Sequence, residues 1–177
     1  MNKIIAVIGM CGSGKSEAVK FFTENGYRKV YFGDVVINEL KMRGLEINEL
    51  NERMIREELR KTFGMGVMAI KSIDAIRNYL KGGNVVIESL YSWEEFKFLK
   101  QEFGEDFKLL TVYTTKELRY KRLSEREFRP LTNQQAVSRD ISEIENLDKG
   151  GPIAYSDYLV INDSDLPELK NNLNKYI

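Results

Sequence analysis

Residues 9–16 read Gly9-Met10-Cys11-Gly12-Ser13-Gly14-Lys15-Ser16, a complete G-x-x-x-x-G-K-S run. Immediately before it, Ile4-Ile5-Ala6-Val7-Ile8 is an uncharged, β-branched run, the pattern of a strand buried on both faces. Immediately after it, Lys15 to Glu24 predicts a helix with Val19 and Phe22 turned inward, ended by Asn25-Gly26 as a left-handed cap. A glycine-rich turn between a buried strand and a helix is the setting in which this spacing means phosphate binding. Gly9, Gly12 and Gly14 allow backbone conformations that side chains forbid, so successive N–H groups can converge on one anion. The helix opening near Lys15 adds the positive end of its dipole.

Working outward, Val30–Phe32, Asn84–Glu88, Leu109–Tyr113 and Tyr158–Ile161 read as four more strands. Between them lie helical stretches at about Val35–Met42, Glu49–Phe63 and Val67–Leu80, the last stopped by Gly82-Gly83. Ser92 with Glu95 predicts a capping box for a helix carrying Trp93, Phe96, Leu99 and Phe103 at helical spacing. Thr114 with Glu117, Thr132 with Gln135, and Asp165 with Glu168 predict three further helix starts. Five short apolar strands alternating with helices predict an α/β fold, a parallel sheet with helices on both faces.

At 177 residues, without repeats or linkers, the chain predicts a single domain. Lysine plus arginine balances aspartate plus glutamate at 27 each, so no global field favours nucleic acid or a membrane surface. No stretch approaches the roughly 20 apolar residues of a membrane span. One cysteine, Cys11, excludes an internal disulfide and, with no leader-like start, points to a reducing cytoplasm. Histidine is absent, which removes Ser-His-Asp and Cys-His catalysis and ordinary His-based zinc sites.

The loop residues Gly9, Cys11, Gly12, Ser13, Gly14, Lys15 and Ser16 are therefore read as a P-loop cradle for ATP with magnesium. Lys15 is expected to reach the β- and γ-phosphates, and the Ser16 hydroxyl to ligate magnesium. Glu88, ending the third strand, stands where a Walker-B carboxylate holds the metal directly or through water. Asp34 follows the C-terminal end of the second strand, where open α/β sheets place ligands; it is either an acceptor-side catalytic group or a helix N-cap. Arg119, Arg122 and Arg126 share one helical face, and Arg122 or Arg126 is expected to stabilise the transferring phosphoryl group, with Arg139 a weaker candidate. Arg53, Arg56 and Arg60 share a face of the long third helix and could grip an acceptor phosphate, or simply pair with the interleaved Glu52, Glu57 and Glu58. Cys11 reads as a space-filler within the loop. No Asn-Lys-x-Asp tetrapeptide, the guanine-reading signature of GTPases, occurs.

Several of these segments together resemble the adenylate-kinase-like branch of P-loop kinases, which includes nucleoside monophosphate kinases and dephospho-CoA kinase. They are most similar to adenylate-kinase-related proteins known from archaea. The resemblance spans nearly the whole chain and rests on Gly9–Ser16, Phe32-Gly33-Asp34-Val35-Val36, Arg43-Gly44-Leu45-Glu46, Leu59-Arg60 with Phe63-Gly64-Met65-Gly66, and the tail Ala154–Asp163. It implies a three-layer P-loop NTPase fold with strand order 2-3-1-4-5, an acceptor-binding helical region at about 34–81, and a mobile lid at about 116–140. It supports Arg60 on the acceptor side and Asp34 as the group that orients or deprotonates the attacking hydroxyl. It more often carries Asp-Gly where this chain has Glu88-Ser89. The implied activity is transfer of the γ-phosphoryl group of ATP to a nucleotide-like small molecule, a nucleoside monophosphate or dephospho-CoA, by a monomer or weak homodimer. The alternative is an ATP-binding switch or slow ATPase.

Overall fold

The computed structural model describes residues 2–177. Five strands, β1 (Ile4–Ile8), β2 (Arg28–Tyr31), β3 (Val85–Glu88), β4 (Phe107–Tyr113) and β5 (Tyr158–Ile161), form one sheet in the order β2-β3-β1-β4-β5. Every pairing is parallel: Ile4 stands opposite Val85 on one side and Phe107 on the other, Val30 opposite Ile87, and Val112 opposite Val160. This is the strand order that the resemblance implied.

The residues of β1 alternate between two cores, which is why all five are apolar. Ile4, Ala6 and Ile8 face a cluster built with α2 (Gly33–Met42), α3 (Glu49–Phe63), α4 (Val67–Leu80) and α5 (Trp93–Phe103). Ile5 and Val7 face Ala18, Val19, Phe21 and Phe22 of α1 (Lys15–Glu24) and Leu169 and Leu173 of α9 (Leu166–Leu173). Three layers result. A third, small cluster of Cys11, Leu123 and Ala136 seats α6 (Lys116–Glu125) and α7 (Asn133–Glu145) against the glycine-rich loop, so Cys11 does fill space there. Among the described residues no helix is long and apolar enough to cross a membrane.

The capping boxes of Ser92 with Glu95 and Thr132 with Gln135 are formed as expected, and Asp165 caps α9. Three local expectations need correction. Thr114 does not cap α6: the N-cap is Thr115, without a side-chain bond, because the Thr114 hydroxyl is buried beneath the loop. Phe32 ends no strand, since its backbone is already helical, so α2 opens at Gly33 and Asp34 falls in its first turn instead of capping it. The short helix α8 (Gly150–Ala154) was not foreseen, because Gly-Gly-Pro reads as a loop.

Candidate phosphate-binding site

The loop between β1 and α1 is held from below. Gly9, Gly12 and Gly14 have φ values of +152°, +82° and +94°. At Gly9 a β-carbon would strike the Val112 carbonyl, and at Gly14 the Asn162 amide. The glycines thus serve conformation and close approach at once. Asn162 Nδ2 donates to the Ser13 carbonyl at 2.8 Å, and the Thr114 hydroxyl lies 3.0 Å from both the Ser13 and Asn162 carbonyls. These bonds engage loop carbonyls. The N–H groups of Gly12, Gly14, Lys15 and Ser16 donate to no main-chain oxygen among the described residues, which suits a surface that receives an anion.

Lys15 Nζ donates to the Met10 carbonyl at 2.9 Å. The residue remains partly open to solvent, yet its ammonium sits deep in a cationic recess. Burial first, and then the charge of Lys149, lower its pKa to about 7, against smaller upward pulls from Glu143 and Cys11. The recess was only partly legible in the sequence. Lys149 is wholly buried and donates to Glu143 Oε2 at 2.6 Å, while Arg139 Nε donates to Glu143 Oε1 at 3.2 Å. Burial pushes the Glu143 carboxyl up, but Lys149, Lys15 and Arg139 together hold it below its usual value. Lys149 also lies 4.5 Å from the centre of the Tyr91 ring. Lys149 and Glu143 carried no sequence signal beyond a polar stretch, since neither belongs to a motif and their meeting depends on the turn after α7.

A polyphosphate seated on this loop restores the charge of Lys15. With a pKa of about 7, Lys15 in the empty site is mostly neutral at pH 8, so binding is expected to take up protons, at most one per nucleotide. Affinity therefore weakens as pH rises above 7, by up to about tenfold per pH unit until the bound-state pKa is passed. Titration calorimetry in buffers of different ionisation heat measures this uptake. In Lys15→Arg it disappears, and equal uptake in both proteins would refute the assignment.

Ser16 is exposed in the first turn of α1, with its hydroxyl available. Glu88 is half-buried at the end of β3 and pairs with Lys29 at 3.2 Å. Ser89, where the resemblance more often has glycine, has φ +71°, a value that favours glycine. Among the described residues no group of three or more acidic or cysteine side chains could hold a metal ion alone. A hydroxyl and a carboxylate are donor types that magnesium takes beside waters and phosphate oxygens, and here the Glu88 carboxylate is shared with Lys29.

The candidate arginines separate. Arg119 is buried and donates two parallel hydrogen bonds to the Asp140 carboxylate, at 3.0 and 2.7 Å, and one to the Cys11 carbonyl at 2.9 Å. Arg122 donates to the Asn162 and Ser164 carbonyls at 2.9 and 3.1 Å, and Arg126 to the Arg129 carbonyl at 2.5 Å. Arg129 in turn bonds Glu49 on α3 at 2.8 Å. Of the cations beyond Lys15, Lys149 and Arg139 are the ones whose charge Lys15 feels.

Beyond the C-terminal ends of β2 and β3 lies a solvent-open pocket with a cavity volume of about 60 Å³. Tyr31, Phe32, Met68 and Tyr91 form its apolar walls, and Arg56 and Arg60 enter it together with Glu52. Arg60 is nearly buried and its Nε has no hydrogen-bond partner; its Nη2 stands 4.0 Å from Glu95 Oε1, which also accepts no hydrogen bond. Asp34 is exposed in the first turn of α2, whose Gly33, Val36 and Ile37 line the same pocket. Tyr91 belongs to this wall and also carries Lys149 on its ring, so one side chain joins pocket and cradle.

A parallel 2-3-1-4-5 sheet, with this loop after its central strand and a pocket beyond the neighbouring strand ends, defines a P-loop protein of kinase-like fold. The chain belongs to the AAA domain family, whose pattern matches residues 5–148, and to the UPF0200 proteins. UPF0200 protein TK1334 of Thermococcus kodakarensis is 33% identical over 178 residues, spanning 98% of this chain and 96% of its own. Among solved structures, TT1252 from Thermus thermophilus superposes with a TM-score of 0.70 at 16% identity, covering 98% of this chain and 95% of that one. Dephospho-CoA kinase from Campylobacter jejuni gives 0.57 at 14%, covering 98% and 94%. A gluconokinase from Sinorhizobium meliloti gives 0.57 at 13%, covering 97% and 89%. At such identities these three speak for the fold alone.

Proposed function

We propose that the chain is an ATP-dependent phosphotransferase whose acceptor is a small, anionic, nucleotide-like molecule, a nucleoside monophosphate or dephospho-CoA. The observation that carries this reading is the pocket beyond the ends of β2 and β3, whose lining sets two arginines among aromatic side chains. A pure ATP switch needs the loop but has no use for such a pocket. Arg60 is placed to hold an acceptor anion, since its Nε is buried and unpaired, and the tyrosines Tyr31 and Tyr91 in the lining would suit a flat ring. Lys15 and the loop amides would bind the donor phosphates, and Asp34 would orient the acceptor hydroxyl. Magnesium, held by Ser16 and Glu88 with the phosphates, would supply charge neutralisation on the transferring group. Arg122 and Arg126 remain the proposed phosphoryl stabilisers of a segment that moves over the site, and the chain would act as a monomer or weak homodimer.

The test is incubation with γ-labelled ATP and a panel of nucleoside monophosphates, dephospho-CoA and gluconate. Label on a nucleotide-like acceptor supports the proposal, and label only as free phosphate supports a slow ATPase. Once an acceptor is found, Arg60→Leu raises its KM by about 10- to 100-fold, the worth of one charge-assisted contact. The KM for ATP stays within about threefold, as befits a group on the acceptor side alone. An unchanged acceptor KM would remove Arg60 from the site.

A further inference from the structure

Lys149 has no solvent exposure, and its ammonium is divided between the Glu143 carboxylate at 2.6 Å and the Tyr91 ring at 4.5 Å. A lone buried ion pair adds little stability, because desolvation offsets the attraction, so packing would be served as well by Leu or Met. The use of the pair lies in the other oxygen of Glu143. Oε1 accepts from Arg139 Nε at 3.2 Å, while the two Nη groups of Arg139 donate to no protein atom among the described residues. Arg139 is half exposed, with 48% of its side chain accessible. Glu143 therefore grips the guanidinium from one edge and leaves its far edge free. With Lys149 absent, nothing would stop both carboxylate oxygens from closing on Arg139 in the bidentate form that guanidinium favours, or from turning to Lys15. The groups facing this cluster are Lys15 and Cys11 from the loop and Tyr91 from the strand end.

We propose that Lys149 and Glu143 are positioning residues for the outer phosphate of a bound triphosphate: Lys149 occupies one carboxylate oxygen so that the other holds Arg139 edge-on, which leaves its Nη groups free to take that phosphate. This rests on the reading of residues 9–16 as a triphosphate cradle, and does not depend on which acceptor is phosphorylated.

Calorimetry with the magnesium complexes of ADP and of β,γ-imido-ATP tests it without turnover. Arg139→Ala, Glu143→Gln and Lys149→Met each reduce the preference for triphosphate over diphosphate by about tenfold, while the diphosphate Kd moves by less than about threefold. A merely structural pair would lower the unfolding midpoint of Lys149→Met and leave that preference intact, which overturns the proposal. Should Lys149→Met not fold, isosteric Glu143→Gln carries the same test. Wild-type protein that binds neither nucleotide removes the cradle and this inference together. A retained preference in Glu143→Gln removes the inference alone, and a collapsed preference in protein that phosphorylates no acceptor upholds it while removing the kinase reading.

Discussion

Under the proposed phosphotransferase function, Lys15→Met is expected to abolish turnover and, at neutral pH, to make the protein harder to unfold. The first half follows from position: Lys15 is the one lysine of the loop, its recessed ammonium bonded to the Met10 carbonyl. Removing a fixed charge from the developing transition state lowers kcat by about 10³. The second half follows from burial. The folded-state pKa of about 7 lies below the unfolded value of 10.5, so the folded chain binds fewer protons across that interval. Stability therefore rises with pH between those values, and below pH 7 the full penalty of a recessed charge beside Lys149 is present. That penalty amounts to no more than a few kcal/mol, since Lys15 keeps some solvent and one hydrogen bond worth about 1 kcal/mol. Methionine fills the stem and removes the charge, so the variant melts above wild type at pH 6 and the gap narrows toward pH 9. Thermal unfolding at three pH values measures this. A variant less stable than wild type at pH 6 would refute the account of Lys15 as a strained, functional cation.

The opposite signs for activity and stability explain what could be read in advance. Where the sequence repeats a local rule, the reading succeeds: β1 alternates between two cores, Ser92 and Thr132 cap, and Gly9, Gly12 and Gly14 take positive φ. Helices α3 and α4 have the boundaries that their apolar spacing predicts. Arg119 and Arg122 of α6 (Lys116–Glu125) were readable as a face but not as partners, because helical spacing says nothing of what lies opposite, and Arg126, expected on the same face, falls just past the helix in extended backbone. Arg119 turned to Asp140 and the loop, Arg122 to the carbonyls after β5, and Arg126 to Arg129. Lys149 and Glu143 were invisible for the same reason. Their pairing is set by the turn between α7 and α8, and a solitary lysine before Gly-Gly-Pro looks like solvent-facing loop. Thr114 shows the converse: its spacing to Glu117 imitates a cap, but a buried carbonyl at Ser13 outcompetes the helix for its hydroxyl.

Arg119→Met is expected to lower stability by about 3–5 kcal/mol, the cost of leaving a buried carboxylate without its cation. Asp140 is buried, and without Arg119 it keeps the Tyr120 hydroxyl at 3.1 Å and no other side-chain partner. At about 2–4 °C per kcal/mol for a chain of this size, the melting midpoint falls by roughly 10 °C. Replacing both partners, Arg119→Met with Asp140→Leu, removes the stranded charge and recovers most of that loss. It does not recover the loop. Arg119 Nη1 also holds the Cys11 carbonyl at 2.9 Å, next to the small cluster of Cys11, Leu123 and Ala136 that seats α6 and α7 against the cradle. Losing that bond, worth about 1.5–3 kcal/mol when the donor is charged, lets the loop relax from the shape that receives phosphate. The double variant is thus expected to be stable but to bind ATP about tenfold more weakly, a separation that calorimetry and thermal unfolding resolve together. If the double variant binds as wild type does, Arg119 only staples two helices; if the single variant melts unchanged, the ion pair is not what holds α6 to α7.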